Sequence, residues 1–246
     1  MPNLANLPTA DLQAGAHNWS GPGYIDGLQM QWVSATAVTV SSGRAYIPSL
    51  SYYLDAPNAI ALTGLVLTAL TWYHLYLYSN AGAPTIECVT TAPAAPYSGT
   101  ARAKTGDTSR RYIGSIKTDA AGAIIQFYHI GNAIKYIANF NSGPYYLLAD
   151  GQSITPATIS CATVVPVTSL VATLLMLNAD TTNTVTIGNP ATSFVLSASA
   201  YLAFIYQNSS AQIDFPLDAS QQMNYVYTST PAGGLYVRAV GYVYER

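Results

Sequence analysis

Short runs of apolar, aromatic and β-branched residues, separated by turn-forming residues, follow one another along most of the chain. Residues 71–78 form one such run and end at a turn of Ser, Asn, Ala and Gly, residues 79–82. Residues 111–117 and 123–129 flank a second turn and predict a hairpin. This enrichment between turns is typical of strands. No segment combines a 3.6-residue period with capping signals, and Lys, Glu, Gln and Arg are scarce, so the pattern predicts an all-β chain.

The same pattern indicates how the chain is organised. Residues 1–27 hold scattered leucines and a cluster of turn formers, which is typical of an arm lying on a neighbouring molecule. Strands then follow until a break at residues 141–144, and afterwards recur at intervals of about 8 to 12 residues, the spacing of sandwiches. We therefore expect an N-terminal arm, residues 1–27, and two β-sandwich (jelly-roll-like) domains, residues 28–141 and 145–246.

The composition narrows the class of protein. Half of the 246 residues are apolar and 20 are Tyr, which excludes a disordered chain. Only 8% are charged, against about 25% in a typical soluble domain. The formal net charge of −2 offers no basic field for nucleic acid. Because charge keeps protein surfaces apart, so low a content predicts a surface that is partly covered by other subunits.

Signals for export and for membrane insertion are weak. The first residues lack the basic and apolar regions of a signal peptide, which predicts synthesis in the cytoplasm. The longest apolar stretch, residues 164–177, is interrupted by proline and hydroxyl residues and is shorter than the roughly 20 residues of a bilayer span, so we expect no membrane span. Cys88 and Cys161 are isolated in sequence. They are predicted to be small buried thiols, with a disulfide between them left open.

Residues suited to catalysis are dispersed. The histidines, His17, His74 and His129, lack the spacing of metal ligands, and no phosphate-binding loop or GxSxG elbow occurs. Asp214 and Asp218 are the closest acidic pair and are predicted to cap a loop. We therefore expect no catalytic residues, no metal and no cofactor. Folding could still bring distant carboxylates together.

The basic residues are unevenly distributed, because six of the nine lie between residues 102 and 135. One interpretation is a solvated sheet edge, which Lys and Arg protect from strand addition. The other is a contact patch for an acidic subunit or an anionic surface. The candidate residues of this basic patch are Arg102, Lys104, Arg110, Arg111 and Lys117.

Strict alternation in the run of residues 235–244 separates an apolar face from a face rich in Tyr and Arg. Tyr and Arg are enriched in protein interfaces, so this face predicts a contact between subunits. A sugar-binding face would have a similar composition. The candidate interface residues are Tyr236, Arg238, Tyr242 and Tyr244.

Two parts of the chain resemble known proteins. Residues 71–78, 86–87, 91–97 and 105–115 together resemble a segment of tail-fibre and other virion structural proteins of tailed bacteriophages. The C-terminal half, with Thr186-Ile187-Gly188-Asn189 and Phe194-Val195-Leu196, resembles small β-sandwich modules of phage accessory proteins. The resemblance implies a virion component that is not an enzyme, is often oligomeric and brings no catalytic residues.

Three functions follow as hypotheses. The first is a tail-fibre or fibre-like subunit, a homotrimer whose arm docks on the virion, with other virion proteins and a host-surface glycan as candidate partners. The second is a capsid (head) decoration protein. The third is a carbohydrate-binding or glycan-cleaving module, in which distant carboxylates such as Glu87 and Asp150 would have to meet. The expected location is the virion, after synthesis in the host cytoplasm.

Overall fold

The computed structural model describes residues 21–246, and every regular element in them is a β-strand, which confirms the all-β prediction. In these residues we find no helix that could cross a membrane. The first ten strands are β1 (Ile25–Gly27), β2 (Met30–Ser34), β3 (Ala37–Val40), β4 (Gly43–Ile47), β5 (Tyr52–Ala56), β6 (Ile60–Leu62), β7 (Trp72–Asn80), β8 (Ala83–Val89), β9 (Ala103–Lys104) and β10 (Asp107–Lys117). The others are β11 (Phe127–Ile130), β12 (Ala133–Tyr136), β13 (Tyr146–Gly151), β14 (Ala157–Ser160), β15 (Val171–Asn178), β16 (Val185–Gly188), β17 (Ala203–Ile205), β18 (Ser209–Pro216), β19 (Gln222–Tyr227) and β20 (Leu235–Val243).

The strands pair antiparallel in five sheets within residues 21–246. Two small sheets have the orders β1-β4-β5 and β2-β3-β6. Two four-stranded sheets have the orders β8-β7-β10-β9 and β14-β19-β16-β17. The six-stranded sheet has the order β11-β12-β20-β15-β18, and β13 also pairs with β20.

The six-stranded sheet joins the two halves of the chain. Strands β11 and β12 precede the predicted domain boundary at residues 141–145, yet β12 pairs with β20, which pairs in turn with β15. The buried apolar residues form one cluster that extends from Leu28 to Tyr244. The two predicted sandwiches, residues 28–141 and 145–246, therefore share a sheet and a core.

One face of this sheet packs on both four-stranded sheets. Near the start of β20, the Tyr227 hydroxyl of β19 donates to Asn178 Oδ1 of β15 at 2.7 Å. Near its end, the Tyr242 hydroxyl donates to the Ser115 carbonyl of β10 at 3.1 Å. The neighbouring strands β15 and β20 thus each contact a different four-stranded sheet.

Part of the predicted arm belongs to the folded region. Residues 25–27 form β1 and pair with β4, and the guanidinium groups of Arg111 and Arg246 donate to the carbonyls of Gly23 and Gly27. The arm boundary at residue 27 is therefore corrected, because strand pairing and these carbonyl contacts hold residues 23–27. Residues 1–20 of the predicted arm lie outside the described residues.

Candidate functional site

The predicted interface on β20 is divided by a β-bulge. Leu174 of β15 lies opposite Ala239, whereas the preceding Thr173 lies opposite Gly241, so Val240 is an extra residue in β20. One inserted residue exchanges the two faces of a strand beyond the bulge. Strict alternation along β20 therefore assigns the wrong face to the residues that follow Val240.

Tyr242 and Tyr244 lie beyond the bulge and point into the core. Each is 1% exposed, and the Tyr244 hydroxyl donates to the Ile113 carbonyl at 3.1 Å. A buried tyrosine is stabilised by such a partner for its hydroxyl. The prediction that these two tyrosines contribute to an exposed interface is wrong, and the bulge at Val240 is the physical reason.

Tyr236 and Arg238 precede the bulge and lie half-buried on the opposite face. The Arg238 guanidinium carbon is 4.7 Å from the ring centroid of Tyr146 and 6.0 Å from that of Tyr236. These distances are typical of cation–π contacts. A subunit contact through Tyr236 and Arg238 stays a prediction.

Three members of the predicted basic patch form ion pairs within the chain. Lys104 Nζ lies 2.9 Å from Glu87 Oε1, and Arg110 Nε lies 3.4 Å from the same oxygen. Arg102 pairs with Glu245 at 3.4 Å. Their positive charges are therefore partly neutralised by neighbouring carboxylates, which makes this region a weaker attractor of an acidic partner than the sequence indicates.

The other two members of the patch are buried. Arg111 is fully buried, and its guanidinium donates to the carbonyls of Gly23 and Arg102. Lys117 is 7% exposed, and its Nζ donates to the Leu70 carbonyl at 2.7 Å. The prediction of a five-residue surface patch is therefore wrong for Arg111 and Lys117, because backbone carbonyls hold both cations inside the fold.

A buried network contains a serine and a histidine placed like a nucleophile with its base. His74 Nδ1 lies 2.7 Å from Ser115 Oγ, which is also 2.8 Å from the Tyr112 hydroxyl. Tyr112 in turn contacts Thr168 Oγ1 at 2.9 Å. Burial lowers the pKa of His74 to about 4, so its ring is neutral at pH 7. Because the Ser115 hydroxyl is buried and contacts both His74 and Tyr112, we assign this network to the core.

The carboxylates of the predicted loop cap differ in role. Asp218 accepts hydrogen bonds from the backbone N–H groups of Ser220 and Gln222, which confirms it as a loop cap. Asp214 instead lies 3.6 Å from Lys135 Nζ in an ion pair. Among residues 21–246, no group of three or more His, Cys, Asp and Glu side chains could hold a metal ion. The two thiols are free, with Cys161 buried and Cys88 half-buried.

An aromatic cluster at the edge strand β17 is the site feature that the sequence analysis did not single out. The ring centroids of Tyr201 and Phe204 are 5.3 Å apart, and those of Phe204 and Tyr206 are 4.9 Å apart. All three are exposed, Tyr206 by 62%, whereas Ile205 between them is buried. The sequence held a signal for this cluster, because Phe204 and Tyr206 flank Ile205 and alternation along a strand places both on the face opposite Ile205. We call Tyr201, Phe204 and Tyr206 the aromatic edge.

The aromatic edge borders an open side of a sheet. Strand β17 pairs with β16 on one side, and none of the described strands pairs with its other side. An unpaired strand edge offers free backbone groups to another chain. The aromatic edge therefore combines exposed ring area with a short strand that no described strand covers on this side, while Asn178 Nδ2 donates to its Ile205 carbonyl.

Comparison of the chain with protein-family models, curated proteins and solved structures found no match. The resemblance of residues 71–115 to phage virion proteins stays a prediction. Three observations bear on function: a core that contains Tyr242 and Tyr244, a predicted basic patch whose cations are paired or buried, and the aromatic edge.

Proposed function

We propose that this chain is a structural subunit of a tailed-bacteriophage virion that acts by binding rather than by catalysis. In this proposal it is a tail-fibre or fibre-like component, and a head decoration protein is the alternative with the same contact chemistry. The resemblance of residues 71–115 supports the virion setting. The observation that carries the proposed role is the aromatic edge, an exposed ring surface on a strand with an open side.

The proposed partner at the aromatic edge is a second copy of this chain. Tyr and Phe are enriched in protein interfaces, and the low charge gives little repulsion between copies. An edge that binds a different surface of the next copy makes a heterologous contact, and such contacts close into rings when the rotation allows. The expected trimer comes from the resemblance to fibre proteins.

The mass of the protein in solution tests this contact. We expect an oligomer at micromolar concentration in sedimentation analysis, and a monomer when Phe204→Thr and Tyr206→Thr are combined. Threonine keeps the strand preference while it removes the ring area. The matched control is Tyr128→Thr on β11, because Tyr128 is 63% exposed in a different sheet.

The control variant is expected to keep the oligomer and the wild-type unfolding midpoint, whereas the double variant is expected to unfold cooperatively as a monomer, at a midpoint lowered by the loss of assembly. A wild-type monomer at micromolar concentration would contradict the contact. If the double variant is still an oligomer, the contact between subunits lies elsewhere and not at the aromatic edge.

The virion setting needs its own experiment. Labelled protein should be detected on purified phage particles, at the tail for a fibre subunit and at the head for a decoration protein. A chain without residues 1–20 should fold but fail to join the particles, because those residues are the proposed docking arm. Normal incorporation of the shortened chain would contradict the role of the arm.

A further inference from the structure

A cavity of about 520 Å³ lies between the end of β10 and the loops around β13 and β14. This volume is within the range of small-molecule sites, about 300–1,000 Å³. Its walls combine apolar side chains with a few hydroxyl groups. They include Leu70, Pro144, Tyr146, Leu147, Ser160 and Thr163.

Lys117 forms part of the same wall and supplies the only positive charge among the cavity's described wall residues. Its ammonium donates to the Leu70 carbonyl and lies 5.4 Å from the ring centroid of Trp72. None of the ion pairs between described residues includes Lys117. An ammonium has three donors, so two are left for a ligand.

The charge of Lys117 is poorly compensated by the protein. Lys117 is nearly inaccessible to solvent, and burial lowers its pKa. A buried cation without a carboxylate is costly, and an anion at hydrogen-bond distance would offset that cost. One cation matches one negative charge, which favours a monoanion over a phosphate.

We propose that this cavity binds a small organic monocarboxylate with an apolar body. The carboxylate accepts hydrogen bonds from the Lys117 ammonium, which are stronger than neutral ones because both partners are charged. The apolar body covers Leu70, Pro144 and Leu147. This site is separate from the aromatic edge and does not depend on the proposed oligomer.

Binding of octanoate to the full chain, measured by calorimetry, tests the proposal. Octan-1-ol and octylammonium serve as matched probes with the same apolar body and a neutral or positive head. We expect octanoate to bind at least about tenfold more tightly than octan-1-ol, which corresponds to about 1.4 kcal/mol. Octylammonium should bind more weakly than either.

Two variants assign the head and the body of the ligand to the cavity. Lys117→Met should remove the preference for octanoate over octan-1-ol. Ala120→Trp should weaken both probes at least about tenfold, because Ala120 is an exposed residue of the cavity wall that a large ring would fill. The control is Ala121→Trp, since Ala121 is the next exposed residue and is not among the wall residues.

Lys117 could also act only as a structural contact to the Leu70 carbonyl. In that case Lys117→Met would lower the unfolding midpoint but leave the ratio of the two affinities unchanged, which would overturn the proposal. Equal binding of octanoate and octan-1-ol to the wild type, or no binding of octanoate, would also overturn it. So would Ala120→Trp binding octanoate as tightly as Ala121→Trp. If Lys117→Met does not fold, the comparison of Ala120→Trp with Ala121→Trp, both of which retain Lys117, still tests whether octanoate binds in this cavity.

Discussion

Tyr236 in β20 and Tyr244 directly after it point to opposite faces of the sheet and differ in the contacts of their side chains. The Tyr244 hydroxyl donates to the Ile113 carbonyl in the core and lies 3.1 Å from His129 Nε2. Tyr236 lies half-buried on the other face, against the Tyr146 ring. The position of a tyrosine relative to the bulge therefore decides whether its hydroxyl stabilises the fold.

We expect Tyr244→Phe to lower the free energy of unfolding by about 1–3 kcal/mol, because it leaves the buried Ile113 carbonyl without this donor. The matched change Tyr236→Phe should stay within about 0.5 kcal/mol, as surface changes usually do. Urea denaturation with an unchanged m-value measures both. Equal effects of the two changes would contradict the assignment of Tyr244 to the core.

Single residues also show where sequence reasoning reached its limit. Alternation predicts a strand at residues 235–244 and misses the bulge at Val240, although the isolated Gly241 beside it is a local sign of one. Which residue is left unpaired is set by β15 in a distant part of the chain. Arg111 is similar. Its burial depends on the Gly23 carbonyl, which only the tertiary fold brings close. Strand content and the Asp218 cap were predictable because both are encoded locally.

At the scale of elements, β12 and β20 approach so closely that one of them needs glycine. A Cβ at Gly241 would lie 2.3 Å from the Ile134 carbonyl oxygen, a backbone atom that cannot move without opening the strand pair. The hairpin of β11 and β12 joins the six-stranded sheet through this pair alone. The absence of a side chain at residue 241 therefore maintains the connection between the two halves of the chain.

Gly241→Ala is expected to destabilise the protein by about 2–4 kcal/mol and to increase amide exchange in β12 first. Gly21→Ala is the control, because no atom lies within 4 Å of the added Cβ and its backbone is not in the left-handed region. Thermal unfolding and hydrogen exchange report on the two variants. Protection of β12 that remains at the wild-type level in Gly241→Ala would argue against the close approach.

For the whole molecule, two histidines contribute to the dependence of stability on pH: His74, which is buried, and His129, which is half-buried. Burial lowers the pKa of His74 to about 4, and burial with the nearby Arg246 guanidinium lowers that of His129 to about 4 as well. Unfolding returns both to an ordinary value of about 6.5. Between these values the unfolded chain binds more protons, so stability rises with pH in that window.

We expect the free energy of unfolding to fall as the pH is lowered from 6.5 to 4, by up to about 3 kcal/mol for each histidine. Urea denaturation at several pH values measures the slope. Above pH 7 the contribution of both histidines should be constant. His129→Asn should reduce the slope between pH 6.5 and 5 by about half, and a wild-type stability that is flat between pH 6.5 and 4 would contradict neutral histidines in the fold.

The place of β20 in the six-stranded sheet has a consequence for biosynthesis. This strand follows the other nineteen described strands in chain order, yet it lies at the centre of the sheet, between β12 and β13 on one side and β15 on the other. Until residues 235–243 have emerged from the ribosome, those three strands lack β20 as a partner, and the edges that pair with it stay open. Folding of the shared core must therefore wait until residues 235–243 have left the exit tunnel, and a nascent chain that stalls earlier would present open strands to chaperones and to other nascent copies.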